Sequence, residues 1–408
     1  MQRAGEKKAD TFEVAVIVTL CVALGPLATD LYLPSLPSIG RAFSVGVGET
    51  QLTLSVFLIG FAFSQLIYGP LSDRFGRRPV MLTGIAIFLL ASIFCAFAWS
   101  LESLLVGRLL QSLGICAGPV LGRAVVRDAW GAERSARILS YTGSAMALAP
   151  AVGPIIGGFL EAACGWRCNF FALSFLAVAL LACVFLRLPE TNLRPDPMAL
   201  RPLRIAGNFL VLMRHRSYLG YVLVGALSYA GLFVFISDSS FLLIGGLGLS
   251  PQAYGLSFAA VIGGFILGSF VSGRFGERFG RDRMLALGVI AALLAAFLGM
   301  GLALSGVLTV WSVVGANTLF FLSSGFTLPN AVAGALRHYP QMAGAASSLM
   351  GFVQMGIAAG LGIAVGQFHD GTHLPMAAAI GVVAGGIALA WGFLVRPGLR
   401  EDRLRMAT

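Results

Sequence analysis

The stretch GPLSDRFGRRPVML, Gly69 to Leu82, occurs a second time in a related form, as GRFGERFGRDRML from Gly273 to Leu285. Asp73 of the first copy corresponds to Glu277 of the second, which lies 204 residues later in a chain of 408. Both acids are followed by RFGR, and both copies join two long apolar runs. The repeat therefore predicts two halves with the same plan and the same orientation.

The composition is that of an integral membrane protein. The chain is 57% hydrophobic and 11% charged, with a mean hydropathy of +0.87, whereas soluble proteins carry about 25% charged residues. About twelve runs approach the ~20 apolar residues that a spanning helix needs, and they lack the alternation of barrel strands. We predict an all-α membrane protein with spans near 14–36, 50–70, 79–98, 102–124, 136–160, 168–188, 217–238, 252–273, 284–304, 308–330, 342–365 and 374–394.

The net charge of +10 is distributed as a topology signal. Basic residues fall on alternate loops, such as the one with Arg74, Arg77 and Arg78, while the remaining loops hold only Arg41 and Arg167. By the positive-inside rule, the basic loops and both termini are predicted to be cytoplasmic. This pattern argues against a nucleic-acid partner.

A Pro- and Arg-rich segment divides the two halves. We predict an N-terminal six-helix bundle over 1–188, a cytoplasmic linker over 189–215 and a C-terminal six-helix bundle over 216–408. The linker is expected to contain a short amphipathic helix near 201–213. Two pseudo-symmetric bundles are the plan of secondary transporters, whose substrate site lies near the bilayer midplane.

Asp30 lies inside the first predicted span, in LGPLATDLYLPSLP, Leu24 to Pro37. A carboxylate in hydrocarbon costs about 3 kcal/mol or more, so it usually faces a bundle interior or a water-filled cavity. Desolvation there favours the neutral form of the acid. Asp30 is therefore a candidate proton-binding residue, and the alternative is an acid that only bonds a neighbouring helix.

Arg108 is a second charge within a span, at a depth comparable to that of Asp30. An ion pair between them would hold the carboxylate ionised until substrate or a proton disrupts it. Gln111, one helical turn from Arg108, is expected to share the network. The alternative for Arg108 is a side chain that snorkels to the outer interface.

Several stretches resemble one family. GPLSDRFGRRPVML is similar to the signature between the second and third helices of the major facilitator superfamily, and GRLLQSLGICAGPVLGRAVVRD, Gly107 to Asp128, to its fourth-helix motif. APAVGPIIGGFL, Ala149 to Leu160, resembles the fifth-helix motif of its proton antiporters, and GWRCNFF and LPET resemble the flanks of its sixth helix. DLYLPSLPSI resembles the drug exporters of the bicyclomycin and chloramphenicol resistance type, the Bcr/CflA group.

The resemblance implies roles for matching residues. Asp30 and Arg108 would take part in proton and substrate coupling. The loop between the second and third helices would control conformation through Gly69, Asp73, Arg74, Gly76 and Arg77. From its chemistry, Asp73 is expected to face a helix N-terminus or an arginine such as Arg123 or Arg127. The alternative is that the arginines of this loop only determine the orientation of the chain in the membrane.

The fifth span carries small residues and prolines at helical spacing, which permit close helix contact and a bend. We expect a tight interface, with a helix of the other half, that seals against proton leak; plain packing is the alternative. The residues are Gly143, Pro150, Gly153, Pro154, Gly157 and Gly158.

An apolar cavity with few charges favours neutral or weakly cationic amphipathic substrates. Candidate wall residues, each of which also fits a packed core, are Tyr32, Tyr229, Phe233, Asn317, Phe321 and Gln354. Asp238, near the outer end of the seventh span, is interpreted as an exposed cap. Cys164 and Cys168 flank GWR and are either disulfide-bonded or simply part of a helix start.

We predict proton-coupled efflux of small amphipathic drugs or metabolites across a bacterial inner membrane by alternating access. The alternative is a proton symporter that imports a small metabolite, and a receptor or membrane-embedded enzyme represents another class. The expected partners are the substrate, protons and membrane lipid, and the expected state is a monomer. No enzymatic activity, metal, cofactor or ATP-binding loop is predicted, so the proton gradient would supply the energy.

Overall fold

The computed structural model describes residues 9–193, 195–200, 202–337, 339 and 342–398. Regular structure within these ranges is helical throughout. Its α-helices are α1 (Phe12–Asp30), α2 (Leu36–Phe43), α3 (Val47–Phe75), α4 (Arg77–Ala96), α5 (Leu101–Ile115), α6 (Ala117–Cys164), α7 (Arg167–Arg187), α8 (Pro202–Met213), α9 (Arg216–Ser240), α10 (Pro251–Phe279), α11 (Arg281–Leu304), α12 (Val310–Arg337), α13 (Ala343–Gln367) and α14 (Leu374–Ala390).

Twelve segments of the described chain are long and apolar enough to cross a membrane, which confirms the predicted fold class. In chain order, spans one to twelve are Phe12–Phe43, Val47–Phe75, Arg77–Ala96, Leu101–Gly131, Tyr141–Cys164, Arg167–Arg187, Arg216–Gly246, Pro251–Phe279, Arg281–Leu304, Val310–Arg337, Ala343–Gln367 and Leu374–Gly398. Gly131, at φ +67°, interrupts α6, so the first part of α6 completes span four and the rest contains span five.

The internal repeat forms the same turn in both halves. Gly76, at φ +99°, separates spans two and three, and Gly280, at φ +88°, separates spans eight and nine. Glycine adopts such positive φ values without the steric cost that other residues incur. The two copies of RFGR therefore encode equivalent turns, as the sequence predicts.

Spans one to six pack into one bundle and spans seven to twelve into another. The bundles contact each other along spans two and eleven and along spans five and eight, two pairs that the repeat relates to each other. The linker contains α8, close to the amphipathic helix predicted near 201–213. The predicted bundle boundaries at 188 and 216 stay a prediction. In the structure, α7 ends at Arg187 and α9 begins at Arg216.

The molecule has two chemically different ends. The basic end holds the turns at Gly76 and Gly280 and the linker; the opposite end holds the loops that precede spans two, four, six, eight, ten and twelve. At the opposite end the bundles are in close contact, since a Cβ built on Gly48 would lie 2.8 Å from the carbonyl oxygen of Gly366. Cys164 and Cys168 are joined by a disulfide at this end.

Candidate functional site

Asp30 is enclosed by protein at the contact between spans one and five. It is the last residue of α1 and is only 3% exposed. A Cβ built on Gly153 of span five would lie 3.2 Å from the Asp30 Cβ. Tyr229 and Tyr254, from spans seven and eight of the other bundle, lie within electrostatic range of its carboxyl group. Asp30 therefore faces the bundle interface and not lipid.

The hydrogen bonding of Asp30 fits a neutral carboxyl group. Thr29 Oγ1 lies 3.1 Å from Asp30 Oδ1 and 2.8 Å from the Pro26 carbonyl oxygen. A hydroxyl group has one proton to donate, so Thr29 cannot fully satisfy both acceptors. If Asp30 carries a proton, it can donate to Thr29 Oγ1 while Thr29 donates to Pro26. A charged Asp30 thus competes with the Pro26 carbonyl oxygen for the single Thr29 proton, whereas with a protonated Asp30 both hydrogen bonds can form at once.

Arg108 is fully buried within the first bundle, where its hydrogen bonds and those of Gln111 together connect spans one to four. Its Nη1 donates to the Ala28 carbonyl oxygen at 3.0 Å and to Gln111 Oε1 at 2.8 Å, and its Nε donates to the Thr53 carbonyl oxygen at 3.3 Å. Gln111 in turn donates to Ser92 Oγ at 2.7 Å. Gln111 is thus part of the Arg108 network.

The predicted ion pair between Asp30 and Arg108 is wrong for this conformation. The ion pairs among the described residues do not include it. Backbone carbonyl oxygens and Gln111 accept from Nε and Nη1, while Nη2 is buried without a hydrogen-bond partner in the part of the chain that the structure describes. The rings of Tyr32 and Phe57 lie on the cation, each centroid 4.3 Å from its central carbon. Such cation–π contacts stabilise a desolvated guanidinium. The snorkelling alternative fails too, since the side chain has no exposure.

A cavity of about 510 Å³ lies between the bundles at the basic end. Its wall combines residues of both bundles and of the linker, including Gly69, Asp73, Arg77, Arg123, Arg127, Asp196, Phe209, Leu336 and Ser348. Since the opposite end is closed, the conformation is open toward the basic end. Asp30 is not among the residues that line this cavity.

The turn after span two forms an ion network within the first bundle. Arg77 pairs with Asp73, and its Nε donates to Asp128 Oδ2 at 3.0 Å. The expected partners of Asp73, Arg123 and Arg127, line the same cavity but form no ion pair with it among the described residues. Asp73 thus pairs with an arginine as expected, but with Arg77 at the start of α4, four residues away across the Gly76 turn, and not with either of the two named examples. Arg74 is exposed, with its guanidinium over the Phe75 ring.

Glu190, in the LPET stretch after span six, has a structural role that the sequence did not predict. Its carboxylate accepts hydrogen bonds from the backbone N–H groups of Arg77 and Arg78, at 2.9 and 3.0 Å. These are unpaired donors at the start of α4, where a negative charge also complements the helix dipole. Glu190 thus caps span three and fixes the linker to the turn at Gly76.

We expect the substitution Glu190→Ala to destabilise the protein by about 1 kcal/mol, the usual effect of removing a helix N-cap. The thermal denaturation midpoint of the purified protein should fall below that of wild type. Glu277→Ala is the matched control, because Glu277 is exposed at the same end and forms no ion pair in the described chain. Equal midpoints for both variants would contradict the capping role.

Span five packs against both bundles through its small residues. A Cβ on Gly157 would overlap the Leu31 carbonyl oxygen of span one, and a Cβ on Gly158 would overlap that of Pro251 in span eight. A Cβ on Gly255 of span eight would lie 2.5 Å from the Pro154 carbonyl oxygen. Pro150 is half-buried, whereas Gly143 is exposed and has no atom within contact distance of a built Cβ. Gly143 therefore takes no part in the close contact.

Most of the predicted cavity-wall residues are packed in the interior. Tyr32, Phe233, Asn317 and Phe321 are at most 1% exposed, so they are not walls of an open cavity in this conformation. For this conformation their prediction is wrong, because aromatic and amide side chains fill gaps between closely packed spans. Tyr229 and Gln354 are half-buried.

The interpretation of Asp238 as an exposed cap is also wrong. The residue has no exposure, and its Oδ1 accepts a hydrogen bond from Gln51 Nε2 of span two at 3.1 Å. His369, in the loop after span eleven, contacts the same oxygen at 2.8 Å. Asp238 thus lies in a contact between the two bundles at the opposite end.

The comparison with known proteins agrees with this architecture. The sequence profile of the Major Facilitator Superfamily matches residues 18–363. The chain belongs to this superfamily. As a member, it is an integral membrane transporter of small molecules, and the repeat, the two bundles and the cavity between them are parts of one transport fold.

Similar members of the superfamily are resistance proteins. The chain is 32% identical over 393 residues to the bicyclomycin resistance protein homolog of Haemophilus influenzae, covering 96% of this chain and 98% of the relative. It is 29% identical over 388 residues to multidrug resistance protein D of Escherichia coli, covering 94% and 96%. The crystal structure of a D-xylose–proton symporter matches with a TM-score of 0.74 at 15% identity, over 94% of this chain and 98% of that one, which shows the shared fold.

Proposed function

We propose that this transporter exports small amphipathic drugs or related metabolites from bacterial cells in exchange for protons. The observation that carries the proposal is Asp30, a buried acid at the bundle interface that forms no ion pair with any residue that the structure describes. An acid in this setting binds and releases a proton as its surroundings change between protein and water. The names of the similar resistance proteins support drugs as the substrate class.

The proposed orientation places the basic end in the cytoplasm. The arginines of the turns and the linker support it through the positive-inside rule, and the bacterial relatives support the inner membrane as the location. The cavity of about 510 Å³ then opens to the cytoplasm and the closed end faces outward. We propose a monomer, since both bundles and the cavity between them belong to one chain.

The proposed cycle follows from this orientation. Asp30 releases its proton when the cytoplasmic cavity widens and water reaches it, and substrate binds between the bundles. The bundles then rock about their contacts, the outer end opens and substrate leaves. A proton from outside returns to Asp30 and completes the exchange. The proton gradient supplies the energy, and the proposed cycle uses no cofactor.

The close packing of span five favours antiport over the alternative, proton-coupled import. Carbonyl oxygens of Leu31 and Pro251 lie directly against Gly157 and Gly158, so no layer of water fits between these spans. A dry contact of this kind would keep protons from crossing without substrate. This role is part of the proposal.

Vesicles that contain the purified protein and a pH-sensitive dye test the direction of coupling. With the cytoplasmic side facing the external medium, drug added outside should enter the vesicle and move protons from the lumen to the medium. Protons that move in the same direction as the drug would support the import mechanism and overturn efflux by exchange. Vesicles without protein give the baseline for passive drug entry.

A further inference from the structure

A polar cluster holds the two bundles together at the end opposite the cavity. Gln51 belongs to the first bundle, and Asp238 and His369 to the second. Asp238 Oδ1 accepts from Gln51 Nε2 at 3.1 Å and contacts His369 Nδ1 at 2.8 Å. A few residues away, Gly48 and Gly366 place the two backbones in contact. The cluster therefore lies where the outer end must separate for substrate to leave.

The cluster leaves several polar atoms unpaired. Asp238 Oδ2 and Gln51 Oε1 are buried without a hydrogen-bond partner, and Asp238 has no exposed surface. A carboxyl group that is buried in its charged form is stabilised by a nearby positive charge, which offsets part of the cost of desolvation. His369 is the adjacent group that can supply one, and its side chain retains 11% exposure, which gives protons from the outer solvent a route to it.

We propose that His369 is a second proton-binding site, which with Asp238 and Gln51 forms a latch that keeps the outer end closed. With a proton on both ring nitrogens, His369 and Asp238 form a charge-assisted hydrogen bond, and Asp238 remains a strong acceptor for Gln51. When His369 loses its proton, Asp238 keeps its hydrogen bond from Gln51 but no longer has a charged partner in His369. Separation of the bundles then lets water solvate it, so deprotonation favours opening.

Other titratable groups around the cluster do not replace His369. Asp370, in the same loop, is exposed and hydrogen-bonded to Thr372, which lowers the pKa of its carboxyl group. His373, at the start of span twelve, also faces Asp238, but burial lowers its pKa and favours the neutral ring. Span two contributes the uncharged amide of Gln51. Span eight contributes the phenol of Tyr254, which bonds Ser239 next to Asp238.

The direction of the pH effect follows from the closed structure. The hydrogen bond to Asp238 raises the pKa of His369 above its ordinary value, against the opposing effect of burial. In an open state, exposed to water, His369 would titrate near its ordinary value of about 6.5. Protonated His369 therefore stabilises the closed state fully below about pH 6.5. This stabilisation is lost as the pH rises through the raised pKa of His369. Between the ordinary and the raised pKa of His369, the ratio of closed to open molecules should fall by up to about tenfold per pH unit.

The inference rests on alternating access in the proposed function, but not on proton chemistry at Asp30. His369 faces the outer solvent, so it would adjust how readily the outer end opens without carrying protons across. The two proposals can therefore fail separately, and the experiment is made with the Asp30→Asn substitution present throughout.

Nitroxide labels on Ala42→Cys and Ser305→Cys report the separation of the bundles at the outer end. Both positions are exposed at this end, one on each bundle, and Cys183→Ser removes the exposed free thiol. Pulsed electron resonance on protein in lipid vesicles would measure the distance distribution between about pH 5.5 and about pH 8.5, a range that spans the ordinary pKa of histidine. The short-distance population should decrease as pH rises.

His369→Gln should remove this pH dependence, because glutamine can donate a hydrogen bond but does not titrate. Asp238→Asn should also flatten the profile, because the pKa of His369 then returns toward its ordinary value in both states. His215→Asn is the matched control: His215 caps α9 at the other end, asparagine is a good cap, and the profile should stay unchanged. If the short-distance population of the His369→Gln variant changed with pH just as it does in the protein that retains His369, the latch would be overturned.

Discussion

Replacing Asp30 with asparagine is expected to abolish proton release driven by drug and to reduce drug tolerance to that of cells without the protein. Asparagine has nearly the same shape as a protonated aspartate, and it can donate to Thr29 as the protonated acid would. The fold should therefore persist while the exchangeable proton is lost. The measurements are growth on a drug panel, in a host stripped of its own exporters, and the dye signal of vesicles with purified protein.

The control for Asp30→Asn is Glu277→Gln, which removes an acid from an exposed site on the second copy of the repeat. Both variants should reach wild-type abundance in the membrane, and only the Asp30 variant should fail to protect. Equal protection by Asp30→Asn and wild type would remove Asp30 from the mechanism. The architecture and the family membership would stand in that case, because neither depends on this residue.

The parts of the fold that the sequence predicts are those set by local physics. Twelve apolar runs must form helices in a membrane, because each backbone polar group needs a partner within its own segment. The turns at Gly76 and Gly280 are also set locally, because a positive φ selects glycine at that position in both copies. The residues that bound each helix are less well determined, as span four shows: the sequence predicts it at 102–124, and in the structure it continues to the interruption at Gly131.

The partners of charged residues were not predictable from position along the spans. Asp30 and Arg108 were placed at similar depths, but depth does not say which way a side chain points around its helix. The guanidinium bonds the Ala28 and Thr53 carbonyl oxygens instead, and backbone acceptors of this kind leave no signal in the sequence. The same limit explains Asp73, whose nearest cation is in its own turn.

Contacts between distant segments were missed for a related reason. Gln51 and Asp238 are 187 residues apart, and the sequence does not indicate that spans two and seven meet at the outer end. An acid within the buried stretch SDSS, Ser237 to Ser240, is nevertheless a usable signal, because four polar residues at the end of an apolar span require partners. Glu190 offered a weaker signal, as an acid directly after a span.

Gly157→Ala is expected to destabilise the protein by about 1–3 kcal/mol, the range for inserting a methyl group into a packed interior. The added Cβ would overlap the Leu31 carbonyl oxygen, which is backbone and cannot move aside by changing rotamer. Spans one and five must therefore separate, and Asp30, one residue before Leu31, shifts with them. The thermal denaturation midpoint should fall, and drug-driven proton exchange should fall more than protein abundance does.

Gly143→Ala, in the same span, separates this effect from the general consequence of adding a methyl group. A Cβ at Gly143 meets no atom within contact distance, and alanine favours a helix over glycine by about 1 kcal/mol. The denaturation midpoint of this variant should equal or exceed that of wild type, with full transport activity. If Gly157→Ala behaved like Gly143→Ala, the close approach of spans one and five would not be needed to hold Asp30 at the bundle interface, and the acid would have to be positioned by Thr29 and its own helix.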